Sequence, residues 1–187
     1  MGTRRRYTRL APAELHQALG DPDYAKRRFG ELRNDYYAQA GDRPSPEEAR
    51  VLGVDKWWEE IDVVLRAAGM PVAVHCGVDH LWPREKPIDS FWEYFGEDEQ
   101  RSMSPPTYLT PANTANVAEW MSTRPFDGLL ATLDAEGTAA LVALGGYPAK
   151  DYEVVAYLDV IRVFGDRVRR FFAAAAQSGD AIVTDLG

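Results

Sequence analysis

Residues 145–187 read GGYPAKDYEVVAYLDVIRVFGDRVRRFFAAAAQSGDAIVTDLG, and this stretch decides the fold. Val154, Leu158, Ile161, Gly165, Val168, Phe172 and Ala175 recur at alternating steps of four and three, which places them on one face of a helix. Tyr157, Phe164 and Phe171 form a second row beside it, so the predicted buried stripe is wide. Arg162, Asp166, Arg167, Arg169 and Arg170 suit the outer face. The spacing predicts a helix from about Asp151, whose carboxylate suits an N-cap, to Gln177, with Gly179 as the left-handed residue just past its end. Gly165 costs about 1 kcal/mol against alanine inside a helix, and the expected reason is another backbone packed closely against it. Ala181 to Leu186 is an apolar, β-branched run and reads as a buried last strand.

The rest of the chain supplies layers for that helix and strand. Arg4 to Leu10 is an arginine-rich strand, expected to be exposed on one side. Pro12 opens a short helix that Gly20 closes, and Asp21-Pro22 starts another reaching about Gln39, with Ala25, Phe29, Leu32 and Tyr36 inward. Ser45 and Glu48 form a capping box, predicting a short helix that ends at Gly53. Asp55 is then expected to cap a helix from Lys56 to Ala68. Val72 to Cys76 reads as a strand, Gly77 to Pro87 as a loop, and Ile88 to Phe95 as a buried aromatic segment. Thr107 to Leu109 is extended; Thr110-Pro111 starts a helix to Ser122; Phe126–Leu133 and Thr138–Leu144 read as helical. The expectation is a single α+β domain over 1–187, with the first and last strands as neighbours in a small sheet and the long last helix across it.

Composition narrows the function classes. The 187 residues are 45% hydrophobic and 11% aromatic, enough for a proper core. No apolar run is long enough to span a membrane, and none follows Arg4-Arg5-Arg6, so neither a membrane span nor a secretory signal is expected. Arg6 in place of serine or threonine argues against myristoylation at Gly2. The lone Cys76 cannot form an internal disulfide, and a reducing cytoplasm is the expected location. Net charge is −8, which argues against nucleic-acid binding. The charge is uneven, because residues 1–33 hold eight Lys/Arg against four Asp/Glu, or +4, leaving −12 for the remainder. These N-terminal cations read as edge-strand and helix-surface charges, or as a basic edge for an acidic partner or an anion.

Leu52-Gly53-Val54-Asp55-Lys56-Trp57-Trp58-Glu59-Glu60-Ile61 resembles the Asp-Lys-x-Trp segment of the YfbM-like bacterial proteins, a family of unknown function. The Met-Gly start, the Tyr147-Pro148 step and the close Ala175-Ala176-Gln177-Ser178-Gly179-Asp180-Ala181 resemble it too, so the likeness spans nearly the whole chain. The resemblance implies a cytoplasmic, bacterial α+β domain with no established activity. The chain departs from the pattern at Asp62, where the family tends to carry histidine, and at Arg66-Ala67, where it tends to carry Thr-Gly.

The best candidate site is that motif. A lysine in the first turn of a helix is disfavoured by about 0.3–1 kcal/mol, so Lys56 would be there to pair with a carboxylate or to hold an anion with the helix N–H groups. Asp55, Lys56, Trp58 and Tyr147 are the candidate ligand-binding residues, bordering a small cleft; the plain structural alternative is a cap, a surface lysine and a core tryptophan. His75, Cys76, Asp79 and His80 are metal-ligand types, but adjacent strand residues point to opposite faces and a second ligand arm is missing. Neither a metal nor a cofactor is expected. No nucleophile motif, phosphate loop or obvious acid–base pair stands out, and no catalytic residue is assigned. Two readings remain. One is a binding or interaction protein, monomeric or homodimeric, whose acidic surface caps a basic protein partner as an immunity or antitoxin-type protein would. The other is a hydrolase-type small-ligand enzyme built on the Asp55–Tyr147 cleft.

Overall fold

A computed structural model describes residues 5–39, 44–55, 57–70, 79–81, 106–133, 137–139, 141 and 154–186. Its elements in chain order are β1 (Arg5–Leu10), α1 (Pro12–Gly20), α2 (Pro22–Ala38), β2 (Val51–Asp55), α3 (Trp58–Ala67), β3 (Asp79–His80), β4 (Thr107–Leu109), α4 (Pro111–Ser122), α5 (Phe126–Ala131), α6 (Val154–Ser178) and β5 (Ala181–Leu186). The five strands form one sheet in the order β2-β1-β5-β4-β3, and every neighbouring pair is antiparallel. This is the expected α+β architecture. The first and last strands pair along their whole length, from Arg5 opposite Leu186 to Leu10 opposite Ala181.

The sheet is apolar on both sides, and helices cover both. Tyr7, Leu52, Val54, Leu109 and Ile182 face a core built from α3, α4, α5 and α6. Leu10, Val51, Ala181 and Val183 face the α1–α2 pair through Leu15, Ala18, Ala25 and Leu32. Strand alternation produces this division, because successive side chains point to opposite faces. β5 needs apolar residues on both faces because it lies at the centre of the sheet, and Ala181, Ile182 and Val183 are fully buried.

The long helix follows its sequence pattern. Tyr157, Ile161, Val168, Phe171, Phe172 and Ala175 are fully buried, while Arg162 and Val163 are exposed. Gly179 closes it with φ of 68°, its amide bonded to the Ala176 carbonyl and the Asp180 amide to the Ala175 carbonyl. Gly165 is explained by a side chain rather than by another backbone. A Cβ there would stand 2.5 Å from the ring of Phe126, so the glycine lets α5 press its first residue flat onto α6.

The N-caps of α2 and α4 behave as their residue types dictate. The Asp21 carboxylate accepts from the amides of Asp23 and Tyr24, and the Thr110 hydroxyl accepts from Asn113.

Several expectations fail, each for a tertiary reason. The Ser45–Glu48 box forms, with the Ser45 amide 3.2 Å from Glu48 Oε2, but it supports one turn rather than a helix to Gly53. Val51 to Asp55 is strand β2 instead, because β1 needs a partner on its second edge and a β-branched run can supply one. Asp55 therefore ends a strand and does not cap a helix; α3 begins at Trp58 with Trp57 at its N-cap. Asp79–His80, expected within a loop, pairs with β4. β1 is an interior strand covered on both faces, with Thr8 and Leu10 as buried as Tyr7 and Arg9, so it is not exposed on one side. The expected Val72–Cys76 strand, the Ile88–Phe95 segment and the Asp151 cap lie outside the described residues, and Thr138–Leu144 is described only at 138, 139 and 141, which are helical.

Candidate functional site

Of the four candidate binding residues, the structure places two. Asp55 stands at the end of β2 with Arg5 as its cross-strand partner. Trp58 opens α3, half-buried, and the Arg5 guanidinium lies over its ring at 4.5 Å. Lys56 and Tyr147 lie outside the described residues. Two of the metal-type residues, Asp79 and His80, are exposed on β3, whereas His75 and Cys76 lie outside the described residues. Among the described residues no three His, Cys, Asp or Glu side chains come together as metal ligands would.

Behind Trp58 the interior holds a polar contact. The Tyr157 hydroxyl sits 2.9 Å from the Leu141 carbonyl and 3.2 Å from Glu60 Oε1, and Tyr157 also packs edge-on against Trp57. The hydroxyl has a single proton, so at any instant it donates to one of these two acceptors. Burial pushes the Tyr157 phenol well above its ordinary pKa, and the Glu60 carboxylate pushes the same way. A tyrosine held neutral in this way fixes α6 to α3 and is not available as a base near neutral pH.

A buried polar network lies at the far end of β1, and sequence reasoning missed it. Arg9 is 6% exposed. Its Nε donates to Asp180 at 2.9 Å, its Nη1 to the Glu47 carbonyl at 2.9 Å, and its Nη2 to the Ser178 hydroxyl at 2.9 Å and the Ala174 carbonyl at 3.3 Å. Its planar fork thus joins the strand, the 45–50 turn and the end of α6. The signal available in the sequence was Asp180 directly before a buried strand that pairs with β1.

A second network lies close by. Glu14 accepts from the Ala11 amide, from Arg28 and from Arg50, and Arg50 also donates to the Arg9 carbonyl. Partial burial alone would raise the Glu14 pKa; the Ala11 amide and the two guanidiniums override it and hold the carboxyl below its ordinary value. Arg6 pairs with Asp185. The cations of the N-terminal third therefore include Arg5, Arg6, Arg9 and Arg28, each tied into the fold, and these four do not form a basic face.

Against the α2 side of these networks lies an open cavity of about 220 Å³. Leu32, Tyr36, Ala49 and Val51 supply its apolar lining, and Asp35, Gln39 and Glu48 stand exposed around it. No sequence signal marks this place. Asp35 and Glu48 border the same cavity only because the 44–50 segment folds back beside the end of α2.

Comparison with known proteins yields one result. No curated protein and no solved structure matches the chain. A family model described as a domain of unknown function, DUF1877, matches residues 1–184. With all but the last three of its 187 residues inside that match, the chain belongs to the DUF1877 family.

Proposed function

We propose that the chain is a non-enzymatic binding protein whose acidic exterior engages a basic partner protein. The observation that carries this reading is the fate of four of the eight cations in the N-terminal third. Arg9 is spent on Asp180 and four main-chain or hydroxyl acceptors, Arg28 on Glu14, Arg6 on Asp185, and Arg5 lies over Trp58. What remains for a partner is a chain of net charge −8 with exposed carboxylates such as Asp35, Glu48, Glu59 and Glu119. Complementary charge of this kind steers encounter and selects among partners. The same reading takes the chain as one domain, of YfbM-like type and bacterial, working in the cytoplasm as a monomer or homodimer without a cofactor; its single cysteine fits a reducing compartment.

Selection of a displayed random-peptide library on the immobilised protein tests this. Enrichment of Lys/Arg-rich sequences, with capture weakening steeply as salt rises, supports it. Enrichment without basic bias, or none at all, overturns it.

The alternative is a hydrolase-type small-ligand enzyme using Asp55, Lys56, Trp58 and Tyr147. One observation favours it: Trp58 with its stacked Arg5 lies one residue from Trp57, which packs on the buried Tyr157–Glu60 contact. A thermal-shift screen of metabolites separates the two readings. A stabilising compound whose effect disappears in Trp58→Ala but survives in Asp35→Asn establishes the enzyme-type cleft.

A further inference from the structure

The geometry points to the cavity between α2 and the 44–51 segment as the docking site for a basic segment of a partner protein, one Arg or Lys side chain of which enters between Asp35 and Glu48. This deepens the binding reading above and rests on it. The lining supplies two things a long cationic side chain needs. Leu32, Tyr36, Ala49 and Val51 are nearly fully buried residues whose outer surfaces offer apolar contact for a methylene stem. Asp35 and Glu48 offer carboxylates for the charged head.

The charge at the cavity is not cancelled from within. Arg50 also lines it, but its guanidinium is committed to Glu14 and to the Arg9 carbonyl. Glu48 uses Oε2 for the Ser45 amide and hydroxyl, and among the described residues it has no cationic partner. The Asp35 side chain has no hydrogen bond or ion pair among the described residues. Two exposed carboxylates beside an apolar depression, with the nearest guanidinium already neutralised, complement a cation. At about 220 Å³ the cavity is smaller than the usual range for drug-sized ligand pockets and suits one side chain.

The test uses the tightest basic peptide from the selection above, fluorescein-labelled, with anisotropy as the readout. Three proteins are compared: the unaltered chain, Asp35→Asn with Glu48→Gln, and Glu59→Gln with Glu119→Gln. The last pair removes the same charge from exposed positions on α3 and α4, across the sheet from the cavity. Glu48→Gln keeps an oxygen for the Ser45 turn, and Asp35 has no described partner to lose, so both variants should melt near the parent. The single Asp35→Asn variant serves as a second check on folding.

The expected result is binding at least about tenfold weaker for the cavity pair, equivalent to about 1.4 kcal/mol, and within about twofold of the parent for the control pair. Equal weakening in both pairs, or no change in the cavity pair, overturns the docking site while leaving the binding reading intact. A selection that returns no basic peptide removes the binding reading, and this site falls with it. Single-site binding by agmatine as tight as by the peptide would also overturn the proposal, because the site would then serve a free guanidinium metabolite.

Discussion

Replacing Arg9 by methionine removes the charged fork but keeps an unbranched stem able to fill the space beside Phe171, whose ring centroid lies 5.9 Å from the guanidinium. The Arg9 and Asp180 side chains are only 8% and 9% exposed, so the loss is not softened by solvent. Removing one member of a buried ion pair costs about 3–5 kcal/mol, because the surviving charge stays buried without compensation. The Glu47 and Ala174 carbonyls and the Ser178 hydroxyl also lose their donor. These contributions overlap, and the combined expectation is about 4 kcal/mol. For a chain of this size that lowers the melting temperature by about 10 °C and removes a large part of an ordinary stability. Urea denaturation followed by circular dichroism measures it, with Asp180→Asn as the second arm of a double-mutant cycle. Asp180→Asn should recover about 2 kcal/mol of the Arg9→Met loss, since the buried charge then disappears. A loss below about 1 kcal/mol for Arg9→Met, or strict additivity in the cycle, would refute the view that Arg9 is an internal tie.

Gly165→Ala should destabilise by about 1–3 kcal/mol despite the better helix propensity of alanine, because its Cβ meets the Phe126 ring at 2.5 Å; Phe126→Leu should relieve part of that penalty, and equilibrium unfolding of the two singles and the double decides it. Glu14, with its pKa held below 4.5 in the folded state, contributes stability that is fully present above that value and lost as pH falls through the folded pKa. The stability gap between the parent and Glu14→Gln should therefore be constant near neutrality and close below about pH 4.5, as followed by urea midpoints across an acid series. Tyr157 has the opposite sign: its folded pKa is raised above 10.0, so its contribution holds below that value and is lost as pH rises through the folded pKa. Tyrosinate absorbance should count the same number of tyrosines ionising before alkaline unfolding in the parent and in Tyr157→Phe; one fewer in the variant would contradict its burial against Glu60.

Local pattern and tertiary demand divide what was legible in the sequence. The helix at 154–178 and the strand after it follow directly from a wide apolar stripe, a left-handed glycine and a β-branched run, none of which depends on distant residues. The adjacency of β1 and β5 was inferred correctly because a buried last strand needs neighbours. β2 was missed because a correct capping box at Ser45 was extended into a helix, whereas the requirement that β1 be paired on both edges is a property of the whole sheet. The arginines of β1 misled for a related reason. Arg9 reads as a surface charge until Asp180 and the end of α6 are brought beside it, from 171 residues away in the chain. Of the candidate cleft, the placing of Asp55 changed with β2, Trp58 gained a stacked arginine that no pattern announced, and the cavity at Asp35 and Glu48 exists only where two segments meet.

The central claim is that a basic partner docks at the acidic cavity beside α2. Backbone amide chemical-shift mapping during titration with the selected basic peptide tests it most directly. The account predicts saturable shifts concentrated on Leu32 to Gln39 and Glu48 to Val51, the residues around the cavity. Shifts concentrated instead on Val54 to Ile61 would move the site to the Trp58 end of the sheet, and diffuse shifts that never saturate would remove it altogether.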